Sequence, residues 1–304
     1  MRNAFIRELV RIVEHEHERE VMLVVGDLGY SVVEPFVERF PDRFINAGVA
    51  EQNMAGLAAG MASEGCHVFT YSIANFPTFR CAEQIRNDID YQDLPVTTVS
   101  VGGGLAYGSL GYSHHAVQDY GLMRLMPHML IAAPGDPAEV TACLRFLASN
   151  PCPSYLRLGK AGEPTFHESA PEVAPGRWLP MHRSDSANVA VVSTGAVMAD
   201  ALGWIKKLGL PVDLYSCPLW GMAWKASQLQ QANRYQVVVT VEDHLEDGGF
   251  GSWMMEALNS SRKRVIPFAL DASVCGMVGS QGLLNALGGL SEQRFQMVLR
   301  NALT

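Results

Sequence analysis

The chain has 304 residues, enough for about two domains at ~150 residues each. Hydrophobic residues make up 48% and charged residues 18%, which excludes a disordered chain; 28 Gly and 16 Pro without a period exclude a collagen-like one. A net charge of -8 with no basic run argues against nucleic acid or an anionic membrane as partner. The N-terminal Met1-Arg2-Asn3-Ala4-Phe5 soon becomes charged and lacks a signal-type apolar region. No apolar run approaches the ~20 residues of a membrane span, so a cytoplasmic protein is expected. Glu14-His15-Glu16-His17-Glu18 mimics a metal site, yet residues two apart diverge on a helix, and a solvated charged helix end is the reading. Six cysteines without C-x-x-C spacing read as reduced core residues.

Val21–Val25 is a continuous apolar run ending in Gly26-Asp27, as in a strand covered on both faces. A helix near Val32–Arg39 and a short strand Phe44–Asn46 follow, then a buried Ala/Met/Gly-rich helix Glu51–Ser63. His67–Tyr71 and Val96–Val101 read as strands with helix Cys81–Asp90 between them. Strand Met129–Ala133, helix Ala138–Ala148 and strand Ser154–Leu158 complete a first α/β unit over residues 1–162. Residues 163–187, with Pro164, Pro171, Pro175 and Pro180, read as a linker. A second alternation fills 188–304: strand Val189–Val192, helix Val197–Leu208, strands Val212–Tyr215 and Gln236–Val241, helix Gly251–Ala257, strand Val265–Ala269 and closing helix Ser291–Leu303. Two doubly wound α/β domains are therefore expected, with chemistry beyond the carboxyl ends of the strands.

Four groups fall at such ends: Gly26-Asp27-Leu28-Gly29, Glu51, Tyr71 to Phe79, and the loop from Gly102-Gly103-Gly104 to His114-His115. Each has an ordinary structural explanation when taken singly. An acid suits a first helical turn, Phe76 and Phe79 at i, i+3 suit a core, loop histidines are often solvated, and three glycines make a tight turn. Their clustering in one domain is the stronger signal.

The motifs narrow the reading. Phe44 to Met54 contains a G-x-x-E-x-x-M core at Gly48, Glu51 and Met54. Gly111-Tyr112-Ser113-His114-His115, Met123-Arg124-Leu125-Met126-Pro127-His128-Met129 and Pro134-Gly135-Asp136-Pro137 follow it. In order and spacing these segments resemble the C-terminal half of the transketolase family of thiamine diphosphate enzymes, near its D-G-x-T-H-Q, M-R-x-x-P-N-M and P-x-D elements. The resemblance implies a pyrimidine-binding domain followed by the family's small C-terminal domain.

It also implies roles. Glu51 matches the glutamate at N1′ of the cofactor's aminopyrimidine, where a shared proton favours the 4′-imino tautomer that takes up the C2 proton. Phe76 matches the aromatic that stacks on the pyrimidine, Phe79 a neighbouring aromatic, and Asp27 the aspartate near the cofactor after the first strand. His114 matches the histidine that hydrogen-bonds the donor and helps proton transfer. Lys160 stands for an arginine after a later strand, and Ser113 or Ser109 is a further substrate contact. Departures are Leu110 in place of an aspartate that reads a sugar hydroxyl, Gly102–Gly104 in place of a histidine, and Ile73 in place of an aromatic.

No G-D-G element is present, so no metal ligand is assigned in this chain; diphosphate and Mg²⁺ are expected on a partner. Glu246-Asp247-Gly248-Gly249-Phe250-Gly251, after Glu242 and His244, reads as a strand-to-helix turn whose glycines serve close packing. Trp220, Trp224 and Trp253 are expected in a core or interface. The resemblance implies the pyrimidine-binding subunit of a split transketolase-like enzyme, in a heterotetramer with two copies of a diphosphate-binding N-terminal subunit. It would transfer a two-carbon ketol or acyl unit from a ketose or 2-oxo donor. The β-subunit of a 2-oxoacid dehydrogenase E1 component and a non-catalytic partner subunit are the alternatives.

Overall fold

A computed structural model describes residues 1–15 and 19–304; positions 16–18 of the Glu14–Glu18 run lie outside the described residues. The chain begins with α1 (Arg2–His15), β1 (Val21–Val25), α2 (Glu34–Arg39), β2 (Phe44–Asn46), α3 (Glu51–Ser63) and β3 (His67–Ile73). Next come α4 (Ala82–Gln84), which continues as a π-helical segment Ile85–Asp90, then β4 (Val96–Val101), α5 (Asp119–Met123), β5 (Leu130–Ala132), α6 (Pro137–Ser149) and β6 (Ser154–Leu158). The second half holds β7 (Leu179–His182), β8 (Val189–Ser193), α7 (Met198–Leu208), β9 (Val212–Ser216), β10 (Leu219–Trp220) and α8 (Gln228–Gln231). It ends with β11 (Val237–Leu245), α9 (Phe250–Leu258), β12 (Arg264–Leu270), α10 (Gln281–Leu287) and α11 (Glu292–Leu303).

The strands form two sheets, ordered β10-β5-β6-β4-β3-β1-β2 and β12-β11-β8-β9-β7. All pairs are parallel except β10 with β5 and β7 with β9. The apolar run Val21–Val25 is buried along its whole length, as a central parallel strand with helices on both faces requires. On one face Phe5, Leu9 and Ile12 of α1 pack with Val140, Leu144 and Leu147 of α6; on the other the small side chains of α3 lie against Met22 and Val24. Each fully buried large apolar side chain contributes about 1.5–3 kcal/mol.

Two short strands depart from the sequence reading. The 163–187 segment contains β7, with Leu179 opposite Ser216 and Pro180 opposite Tyr215. It is an edge strand, where Pro180 needs no second partner for a missing N–H. β10 leaves the second half and joins the first sheet, with Leu219 opposite Ala132 and Trp220 opposite Ile131. Trp220 and Trp253 are fully buried, their ring centres 5.4 Å apart.

A buried ion network also crosses between the sheets. Arg157 of β6 donates from Nε to Asp119 of α5 at 2.7 Å, pairs through Nη1 with Asp243 of β11, and donates from Nη2 to the Ala116 carbonyl at 2.7 Å. The register of β11 shifts between Val241 and Leu245, which aims Asp243 at Arg157 and Glu242 at α9. Glu242 accepts from the N–H groups of Phe250 and Gly251 at 2.6 and 2.7 Å. A Cβ on Gly249 would stand 2.2 Å from Glu242 Oε2, so only glycine fits that turn. No helix among the described residues is long and apolar enough to cross a membrane.

Candidate active site

The carboxyl ends of β1, β2, β3 and β4 converge on one face, and the loops leaving them hold most of the candidate residues. At the end of β1, Asp27 has φ +55° and its N–H donates to Asn46 Oδ1 at 3.1 Å. Asn46 Nδ2 returns a bond to Asp27 Oδ1 at 3.0 Å, and Gly48 N–H donates to Asn46 Oδ1 at 2.9 Å. Asn46, at the end of β2, thus buckles two strand ends together.

Glu51 opens α3 and is 1% exposed. Its side chain packs against Gly26 at the end of β1, where a Cβ would stand in ordinary contact 3.4 Å from Glu51 Cγ. Glu51 Oε2 accepts from Arg80 Nη1 at 2.6 Å. The same guanidinium lies over the Phe76 ring, 4.6 Å from its centre. Phe76 and Phe79 do not share a helix: Phe76 closes a turn on the Ile73 carbonyl, and Phe79 begins a separate 3-10 turn. Phe79 is 48% exposed on the rim.

His114 meets the edge of Phe76, with ring centres 5.2 Å apart. Asn75 fixes this pairing by donating to the carbonyls of His115 at 2.6 Å and Ser113 at 3.3 Å. Ser113 Oγ and His114 Nδ1 are 3.0 Å apart. Partial burial and the neighbouring His115 hold the His114 ring below the usual imidazole range, so it is neutral at pH 7. Tyr107 stands between His114, at 6.4 Å, and Lys160, whose ammonium lies 5.0 Å above the Tyr107 ring.

The fold therefore brings Glu51, Phe76, His114 and Ser113 into one chain of contacts through Arg80, with Lys160 one ring further on. Asp27 belongs to the adjoining Asn46 buckle. Sequence reasoning misses Arg80, Asn46, Asn75 and Tyr107, because a lone arginine or asparagine in a loop carries no periodic or spacing signal. Large apolar side chains are exposed in the segments that follow all four strands: Tyr30 after β1, Val49 after β2, Phe79 after β3, and Leu110 and Tyr112 after β4. The outer side of α3 exposes Gly56, Leu57 and Gly60. An exposed apolar rim of this kind marks an interaction face.

A buried carboxylate joined through Arg80 to the face of an aromatic ring, with an imidazole at that ring's edge, suits a flat heteroaromatic with a basic ring nitrogen that takes the place of the guanidinium. The carboxylate can hold that nitrogen's proton, the ring can stack, and the imidazole can give or take a proton beside it.

Residues 1–162 match the family described as transketolase, pyrimidine binding domain. One of the subunits of the apulose-4-phosphate transketolase of Actinobacillus succinogenes is 30% identical over 239 residues, 78% of this chain and 77% of that protein. The 1-deoxy-D-xylulose-5-phosphate synthase of Aquifex aeolicus is 30% identical over 311 residues, 99% of this chain and 48% of that protein. A solved split-gene transketolase, described as an inactive beta4 tetramer, superposes with a TM-score of 0.85 at 28% identity, covering 99% of this chain and 97% of that one.

Proposed function

The chain belongs to the transketolase family as the C-terminal, pyrimidine-binding subunit of a split transketolase-like transferase, and we propose that with its partner it moves a two-carbon ketol or acyl unit from a ketose or 2-oxo donor to an acceptor. The family implies dependence on thiamine diphosphate. When bound, that cofactor supplies the nucleophilic carbon that carries the two-carbon unit.

The residues present fit the aminopyrimidine half of the cofactor. The observation that carries this is Glu51, a carboxylate buried to 1% exposure whose described ion-pair partner is the half-exposed Arg80 over Phe76. In the assembled enzyme Glu51 holds a proton at the pyrimidine ring nitrogen, and Phe76 orients the ring and excludes water from one face. Neutral His114, oriented by Ser113, takes or gives a proton at the donor oxygen. Asp27 steadies the strand-end loops, while Phe79 covers the cofactor from the rim. Lys160 neutralises an anionic end of the substrate.

The diphosphate half has no counterpart: the sequence has no G-D-G element. Mg²⁺ and its ligands are assigned to an N-terminal partner, joined in a heterotetramer with two copies of each chain. The apolar rim and the outer face of α3 support such a partner, as does the split-gene relative described as an inactive tetramer of its beta chain.

The test is calorimetry of thiamine diphosphate with Mg²⁺, on this chain alone and on its complex with the N-terminal subunit. The complex binds in a Mg²⁺-dependent manner and the chain alone does not bind tightly. Tight Mg²⁺-dependent binding by the chain alone would overturn the division of labour.

A further inference from the structure

A second polar cluster lies at the N-terminus of α6. Asp136 caps the helix, with Oδ1 accepting from Glu139 N–H at 2.7 Å. Its Oδ2 accepts from the N–H groups of Phe166 and His167 at 2.7 and 3.1 Å, and lies 3.1 Å from His167 Nδ1. Glu139 is wholly buried. Its Oε2 accepts from Gly135 N–H at 2.6 Å and from Ser216 Oγ of β9 at 2.9 Å. Its Oε1 is buried and accepts no hydrogen bond.

The bond to Asp136 fixes the imidazole. In the neutral ring, Nδ1–H given to that carboxylate leaves the lone pair on Nε2, the arrangement by which a carboxylate orients a metal-binding histidine. Nε2 stands 3.9 Å from the unbonded Glu139 Oε1. That separation is too long for a hydrogen bond. It suits two ligands of one ion, since bonds of about 2.0–2.2 Å to nitrogen and oxygen bring their donors to within ~4.2 Å of each other. The His167 side chain is 17% exposed, which leaves a side open to water ligands. One ligand atom from each of Asp136, Glu139 and His167 falls within 4.8 Å of the others.

We propose that Glu139 and His167 form a binding site for a divalent cation of the zinc class, with Asp136 as the group that orients His167. One imidazole and one carboxylate favour Zn²⁺ over Mg²⁺, which takes all-oxygen octahedral sites. The ion clamps Phe166-His167, in the segment between the two sheets, onto α6. Through Ser216 it also engages β9. The site is separate from the Mg²⁺ assigned to the partner and does not depend on the transferase reading.

The test uses the full chain, stripped with a chelator and carrying His17→Ala so that the N-terminal Glu/His run contributes little. Zn²⁺ is titrated by calorimetry, and Co²⁺ serves as an absorption probe. The chain binds one equivalent of either ion, and Zn²⁺ raises its melting temperature. His167→Ala on the same background weakens binding by roughly 10- to 100-fold or more and abolishes the thermal shift, with an unchanged circular dichroism spectrum. Glu139→Gln weakens binding as well; if that variant does not fold, His167→Ala decides alone. Identical titrations for the parent and His167→Ala, or a Co²⁺ spectrum dominated by a thiolate charge-transfer band, would overturn the site.

Discussion

Arg80 Nη1 donates to Glu51 Oε2 at 2.6 Å, so the most deeply buried acid of the candidate active site is neutralised by a side chain that is itself 45% exposed. The pair sits at the mouth of the site, and the guanidinium also covers Phe76. Arg80→Ala removes the partner and leaves a buried carboxylate unpaired. Solvent access to the arginine reduces the cost to about 1 kcal/mol. Urea unfolding of Arg80→Ala, Glu51→Gln and the double variant measures it. The double variant is expected to lose less than the sum of the singles; strict additivity would show that the contact contributes nothing.

Glu51→Gln addresses the chemistry. An amide keeps the volume and can accept from Arg80, but cannot share a ring-nitrogen proton as a carboxyl group does. In the reconstituted complex, exchange of the cofactor's C2 hydrogen with deuterium should slow by at least roughly a hundredfold, in the range of lost acid–base assistance. Cofactor affinity and assembly should change little. Unchanged exchange would remove Glu51 from the proton-sharing role.

The parts legible in the sequence are those fixed by burial along a single element. Helix Glu51–Ser63 and strands Val96–Val101 and Ser154–Leu158 have the same bounds in sequence and structure, and both strands are buried along their whole length. Strand β11 reads only to Val241 in the sequence, where the apolar run ends and Glu242-Asp243-His244 begins. It runs to Leu245 because Arg157, the α9 amides and the Gly121 N–H satisfy those three side chains. Those partners lie elsewhere in the sequence. The same holds for β10, two residues long and set by its pairing with β5, and for Arg80, whose importance comes from where α3 and the turn after β3 meet.

Arg157 is the side chain whose loss should cost most. Its side chain is 2% exposed and it serves Asp119 and Asp243, which come from different halves of the chain. Arg157→Met leaves two buried carboxylates without their cation, a change that costs about 3–5 kcal/mol. The urea midpoint should fall accordingly. Asp119→Asn, which keeps a hydrogen-bond acceptor, should lose clearly less. Equal stability of Arg157→Met and the parent would mean the network contributes nothing net.

Glu242 gives a pH dependence of defined sign. Burial pushes its carboxyl group up to about 8 from an ordinary 4.5, against the two amide donors of α9 that favour the carboxylate. Between those values the folded chain keeps a proton that the unfolded chain has released. Its contribution is therefore fully present below about pH 4.5 and is lost as pH rises through about 8. The stability of the parent minus that of Glu242→Gln should decline steadily from about pH 5 to about pH 8. A difference that is flat or grows with pH would contradict the assignment.

Leu110 bears on the choice of donor. It lies in the 3-10 turn Gly108–Leu110, 55% exposed on the rim, with its N–H bonded to the Tyr107 carbonyl at 2.9 Å. Little packing depends on its side chain, so Leu110→Asp should alter stability by no more than about 0.5 kcal/mol. A kinetic change in the variant therefore reports on substrate rather than folding. If a donor hydroxyl faces this position, as the aspartate of sugar-transferring relatives implies, the parent lacks a charge-assisted hydrogen bond worth about 1.5–3 kcal/mol. Ser113 is poorly free to replace it, because its hydroxyl is engaged with His114 Nδ1 at 3.0 Å. Simple pentose phosphates should then be weak donors for the reconstituted complex. Leu110→Asp should raise kcat/KM for xylulose 5-phosphate by roughly 10- to 100-fold. The same substitution should leave a 2-oxo donor without that hydroxyl unaffected. Efficient xylulose 5-phosphate turnover in the parent, indifferent to Leu110→Asp, would show that the donor is read elsewhere, with Ser109 or the partner subunit as the next places to look.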